Sequence, residues 1–225
     1  AYNCEIGACT LYGSNRGATL GAVLATLAQA GRDKLTLVTS PALVSFGDWV
    51  EQLIAESTGK HGTGIIPVTH ESVEDVGAYG PDRVFVHIVL DGEQDTAIDS
   101  RLGALAEDGH PVLRISLPQA EAIGGEFLRW EIATAIAGAL LGVNPFDEPD
   151  VTASKLITRE ILDQSPDGAM PDSGEPAAAS DSLEVYVDDQ RAWAGSLRAD
   201  TARQLIGSFV ELAGPGEYIG VLAFL

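Results

Sequence analysis

The sequence predicts an α/β fold: a three-layer αβα sandwich built on a doubly wound, mainly parallel sheet. Three observations lead there. Short apolar runs alternate with longer segments of helical spacing along the chain, the order that makes parallel strands joined by crossover helices. The strongest run, Arg83 to Leu90 (RVFVHIVL), is apolar at nearly every position, as a strand covered on both faces must be. Hydrophobic residues make up 45% of 225 residues, enough to fill one such core.

Taken in order, residues 1–17 read as an irregular N-terminal segment, with Gly7, Gly13 and Gly17 around a turn-forming Ser14-Asn15. Ala18 to Ala30 has helical spacing, and Gly31 stops it. Lys34 to Thr39 (KLTLVT) is a short buried strand. Ser40-Pro41 then starts a helix, with serine at the N-cap and proline in the first turn. Phe46, Trp49, Val50, Leu53 and Ile54 give this helix an apolar face, and it ends around Ser57-Thr58-Gly59.

Gly64 to Val68, Arg83 to Leu90 and Pro111 to Leu117 read as strands. Thr96 to Asp108 reads as an amphipathic helix, and Glu126 to Leu141 as a helix so apolar that burial is expected. Thr152 to Leu162 closes the main domain, 18–163. Residues 164–182, rich in Pro, Gly, Ala and acids, read as a linker. A strand (Leu183–Val187), a helix (about Arg198–Ala213) and a last strand (Glu217–Leu225) form a β-α-β tail over 183–225. The chain stops inside that last apolar strand, so a truncated subdomain and a longer native chain are expected.

Composition narrows the function. Thirty-three acidic residues against 13 basic ones give a formal charge of −20. Such a surface repels nucleic acid and anionic membrane. A phosphorylated ligand would need a local cluster of cations and helix N-termini. No apolar run reaches the ~20 residues of a membrane span. Cys4 and Cys9 lack the companions that a zinc site needs, and the four histidines are scattered, so no metal is expected. Two free thiols suit a cytoplasmic protein. The first βα turn, Thr39-Ser40-Pro41-Ala42, lacks the glycines of a pyrophosphate loop, and Walker and nucleophile-elbow motifs are absent. No nucleotide cofactor is expected.

What remains is carboxylates and a few lysines. The chain has three lysines. Two of them end distinctive strings: Glu56-Ser57-Thr58-Gly59-Lys60, and Asn144-Pro145-Phe146-Asp147-Glu148-Pro149-Asp150-Val151 running on to Lys155. An aldose–ketose isomerase needs a carboxylate to carry a proton between adjacent carbons, and positive charge near the enediolate. Glu56, Lys60 and Lys155 have the right chemical types. A Glu and a Lys four apart also make an ordinary ion pair on a helix surface, and spacing alone leaves both readings open.

The two strings resemble signatures of the phosphoglucose isomerase family. The first is similar to its Glu-Ser-Asn-Gly-Lys motif. The second is similar to its Asn-x-Phe-Asp-Gln motif, followed by Gly-Val-Glu and a lysine. Gly31-Arg32-Asp33-Lys34, Gln52-Leu53-Ile54-Ala55-Glu56-Ser57 and Gly125-Glu126-Phe127-Leu128-Arg129-Trp130-Glu131 resemble most closely the isomerase part of bacterial bifunctional transaldolase/phosphoglucose isomerases. The resemblance covers residues 18–163 most strongly. It implies a SIS-type, Rossmann-like domain of a cytoplasmic enzyme of glycolysis and gluconeogenesis, working without cofactor or metal. It implies catalytic roles for Glu56, as the proton-moving base, and for Lys155, at ring opening. Ser57, Thr58, Lys60 and Arg83 are implied in substrate binding, with Lys60 otherwise a structural partner for Glu56. Glu131 is expected to be structural, paired with Arg129 or a neighbour. The sugar phosphate is expected at the carboxyl ends of the strands.

The sequence departs from the family at Thr58 and at Glu148-Pro149. The family's phosphate loop, Gly-Gly-Arg loop and histidine context are not visible. The phosphate grip is therefore expected from the remainder of a longer chain or from a homodimer partner. The alternative reading is a non-catalytic sugar-phosphate-binding module of the same fold.

Overall fold

The computed structural model describes residues 15–165, 168, 174–180, 182–188, 193–197, 199–214 and 217–221. The chain divides into two compact units, Ala1–Ser154 and Lys155–Leu225.

The first unit holds four strands, β1 (Lys34–Thr39), β2 (Ile66–Val68), β3 (Arg83–Leu90) and β4 (Val112–Leu117), in one sheet of order β2-β1-β3-β4. Every neighbouring pair in it is parallel. Side chains alternate between faces, and both faces are covered. Leu35, Leu37, Val84, Val86 and Ile88 pack under α1 (Arg16–Gln29), α2 (Val44–Thr58) and α4 (Ile123–Leu141). Val38 and Phe85 pack on the other face under Leu102 and Leu105 of α3 (Thr96–Glu107). This is the αβα sandwich that the sequence predicts.

Local chemistry sets the boundaries. Asn15 caps α1 by accepting from the Ala18 N–H at 3.0 Å, so the helix begins before Ala18. Pro41–Leu43 forms a 3₁₀ turn before α2 proper. α4 ends at Gly142, whose φ of 76° is left-handed, as a helix stop requires. The expectation that α4 is buried needs correcting. Trp130, Ala133 and Ala137 are buried, but Phe127, which packs edge-on against Phe46 and Trp49 of α2, and Leu140 lie at the rim of the covered face and stay exposed. The cause is that α1 and α2 cover one face of it only. The α1 contact is close: a Cβ on Gly21 would lie 2.9 Å from the Ala133 carbonyl carbon and Cα.

In the second unit, β5 (Ala178–Ser180) pairs antiparallel with β6 (Leu183–Val185), and Ala178, Leu197 and Leu205 make a small core with α6 (Ala202–Val210). The stretch read as linker thus contains a strand. The tail helix is shorter than predicted, starting after Thr201, whose side chain caps it. Residues 217–221 form no strand. The end of the predicted last strand, 222–225, and Cys4 and Cys9 lie outside the described residues. A further helix, α5 (Pro149–Gln164), carries Lys155.

Candidate active site

Topology places the first motif. α2 leaves the carboxyl end of β1 and returns the chain to the start of β2, which runs parallel to β1 with Ile66 beside Lys34. The last turn of α2 therefore lies at the amino ends of the strands. Thr58 fixes it there. Its side chain is fully buried, donating to the Ile54 carbonyl at 2.8 Å and accepting from the Ile65 N–H at 3.0 Å. The segment between them is a tight turn. The Lys60 N–H donates to the Thr63 carbonyl at 2.9 Å, and the Thr63 N–H donates back at 3.0 Å. His61 and Gly62 both have positive φ, 55° and 75°, the geometry of a two-residue hairpin turn.

Lys60 is the centre of the arrangement. Its side chain is 3% exposed. The ammonium donates to the Asn144 carbonyl at 2.5 Å and the Asp147 carbonyl at 2.6 Å, and lies 2.9 Å from Asp147 Oδ1. An ammonium has three donors, and three acceptors meet them. Lys60 as a ligand for sugar would have to give up one of these. The partner it has is Asp147, not Glu56. The Asp147 carboxyl is held below the usual range, first by the Lys60 hydrogen bond and then by the Lys60 charge, Asn144 and His61. Asn144 braces the turn further: its Nδ2 donates to Asp147 Oδ2, and its Oδ1 accepts from the Phe146 N–H, both at 3.1 Å. Pro145 packs on Gly138, where a Cβ would come within 2.9 Å of the ring.

Beside this locked pair of turns, Glu56 is exposed and Ser57 half-buried. Glu56 Oε1 accepts from Gln52 Nε2 at 3.3 Å. Arg83 begins β3 on the opposite face of the sheet. Its Nη1 lies 2.6 Å from Glu71 Oε2 and donates to Thr36 Oγ1 at 2.7 Å, while its guanidinium stacks 5.4 Å from the centre of the Tyr79 ring. A ligand reaching Arg83 would compete with Glu71. Lys155 is exposed on α5, in the second unit.

Two sequence readings shift. Glu131 is exposed, and the buried carboxylate is Glu126, 3.0 Å from Arg129 Nη1. Burial pushes the Glu126 carboxyl up, against the pull of Arg129 and Arg16. The expected ligand position at the carboxyl ends of the strands also separates from the motifs, because Glu56 stands at the amino ends. Sequence reasoning missed a trio formed by buried His87 with Arg114 and Asp99, in which Arg114 Nη1 is 3.3 Å from His87 Nδ1. The signal was present: His87 stands mid-strand in RVFVHIVL.

No family model matches the chain. A glucose-6-phosphate isomerase of Rubrobacter xylanophilus is 31% identical over 185 residues, 65% of this chain and 43% of that protein. This chain is similar to glucose-6-phosphate isomerases. A second such isomerase, from Enterococcus faecalis, is 30% identical over 67% of this chain and 42% of its own length. A third, from Leptospira interrogans, is 30% identical over 56% of this chain and 36% of its own length. The chain thus spans less than half the length of these relatives. A crystal structure of a hypothetical protein from Thermus thermophilus superposes with a TM-score of 0.52 at 21% identity, over 65% of this chain and 49% of that one. That likeness bears on the fold alone. Among the described residues, no helix is long and apolar enough to cross a membrane.

Proposed function

We propose that this chain carries part of an isomerase site interconverting glucose 6-phosphate and fructose 6-phosphate. Glu56 is the base. It takes the proton from C2 of the open-chain aldose, leaving an enediol across C1 and C2, and returns a proton to C1 to give the ketose. Ring opening precedes this step, with Lys155 as the assisting group. Ser57 is a substrate contact, while Thr58 and Lys60 hold the segment that presents Glu56. Arg83 serves the substrate only by exchanging Glu71 for it. The phosphate grip is supplied by a longer native chain or a second copy. The observation that carries this reading is the exposure of Glu56 beside two turns locked by Lys60. A base must be reachable yet held in place. The similarity to glucose-6-phosphate isomerases over the same residues supports it.

The test is a coupled isomerase assay on the longest native chain containing this sequence, alongside its Glu56→Gln variant. Loss of the base should lower kcat by about 10²-fold or more. A variant that keeps near wild-type kcat refutes the assignment of Glu56.

A further inference from the structure

Lys60 is built unlike a surface lysine. Its stem is buried, and two of its three acceptors are main-chain carbonyls. Bonds to carbonyls respond to the conformation of the turn that carries them, not to the identity of its side chains. Asp147 offers both its carbonyl and its carboxylate, so one residue is held at two points. The same turn is braced internally by Asn144. On the other side, Lys60 is the first residue of the hairpin turn that follows Glu56 by one helical turn, and its own backbone pairs with Thr63. The bonds therefore join segments 84 and 87 residues apart. A compact, tetrahedral ammonium suits three converging acceptors, whereas the planar fork of arginine does not.

We propose that Lys60 is a positioning residue of the isomerase site. Its ammonium sets the register of the Asn144–Asp147 turn against the end of α2, and through it the placement of the Glu56 carboxylate. This rests on the isomerase reading above. Glu56 stands at a helix end with one side exposed, so its placement depends on what holds the turn after it. A shift of about 1 Å in a reacting group can cost about 10²-fold in rate.

The experiment uses the longest native chain with Lys60→Met, Lys60→Arg and Asp147→Asn, each also in a Glu56→Gln background. Lys60→Met keeps the stem and removes the charge. It is expected to lower kcat by about 10²-fold while KM changes little, and Lys60→Arg is expected not to restore the rate. Asp147→Asn, which leaves the lysine in place, should lower kcat in the same direction and reports if Lys60→Met does not fold. In the Glu56→Gln background these changes should have little further effect, because the group being placed is gone. A general loss of structure would instead lower both backgrounds alike. In NMR spectra, the Lys60 ammonium should give a slowly exchanging signal that is lost in Lys60→Met.

Wild-type activity with kcat unchanged in Lys60→Met and Asp147→Asn overturns the positioning role alone. Equal losses in both backgrounds overturn it as well. Absence of isomerase activity in the wild-type native chain overturns the isomerase reading and the positioning role with it.

Discussion

Thr58→Val separates holding from binding at the first motif. Valine matches threonine in shape, so no cavity forms and the change is confined to hydrogen bonding. The Ile54 carbonyl loses a second donor at little cost, because it retains its place in the helix. The Ile65 N–H loses its acceptor, and Ile65 is 3% exposed, so water cannot readily replace it. An unsatisfied buried donor costs about 1–3 kcal/mol, and the expected loss is about 2 kcal/mol. Thr58→Ser keeps both bonds and gives up one buried methyl, about 1 kcal/mol. The assay is urea unfolding, with midpoints compared at constant slope, together with amide exchange at Ile65. Valine should lose more stability than serine and abolish the protection of the Ile65 amide. A valine variant within about 0.5 kcal/mol of wild type, a difference typical of surface changes, with that amide still protected, would refute the reasoning. A rise in KM at unchanged stability would return Thr58 to the substrate.

Two further expectations follow from packing and charge. Gly21→Ala should destabilise by about 1–3 kcal/mol, since the new Cβ must displace the Ala133 backbone. Gly103→Ala on α3, where a Cβ meets nothing within 4 Å, should stabilise by about 0.4–1 kcal/mol; urea midpoints of the same sign for both would contradict the α1–α4 contact. Glu126 has a folded-state pKa raised by burial, so its protonated form favours the fold. That contribution is full below the ordinary carboxylate pKa, about 4.3, and fades as pH rises through the raised value. Glu126→Gln should therefore gain stability relative to wild type as pH rises from acid to neutral; a difference that stays flat or runs the other way would contradict it.

The sheet was legible in the sequence because its strands are buried on both faces. Arg83–Leu90 is delimited to the residue, and Lys34–Thr39 likewise. α4 was half legible. Its apolar content marks a helix, but composition does not tell which neighbours cover it, and Phe127 and Leu140 remain exposed. β5 was hidden because Ala178–Ser180 carries no strand-forming side chains and is held by pairing with Leu183–Val185. At the candidate site, the motifs and Glu56 were legible as residue types in a recognisable order. The bond between the motifs was not. Lys60 and Asp147 lie 87 residues apart, and nothing local marks a lysine as buried. The strand-end rule would not by itself lead to Glu56. It concerns ligands at the carboxyl ends, whereas α2 carries Glu56 to the other end of the sheet.

The most direct test of the account follows the proton itself. Fructose 6-phosphate or glucose 6-phosphate would be incubated in deuterium oxide with the longest native chain and with its Glu56→Gln variant, and label at C1 and C2 followed by NMR. The account predicts that wild type incorporates deuterium at the carbon that receives the proton while interconverting the two sugars, and that Glu56→Gln loses exchange and interconversion together, by about 10²-fold or more. Exchange at C2 that persists at the wild-type rate in Glu56→Gln would contradict it, placing the base elsewhere in the molecule.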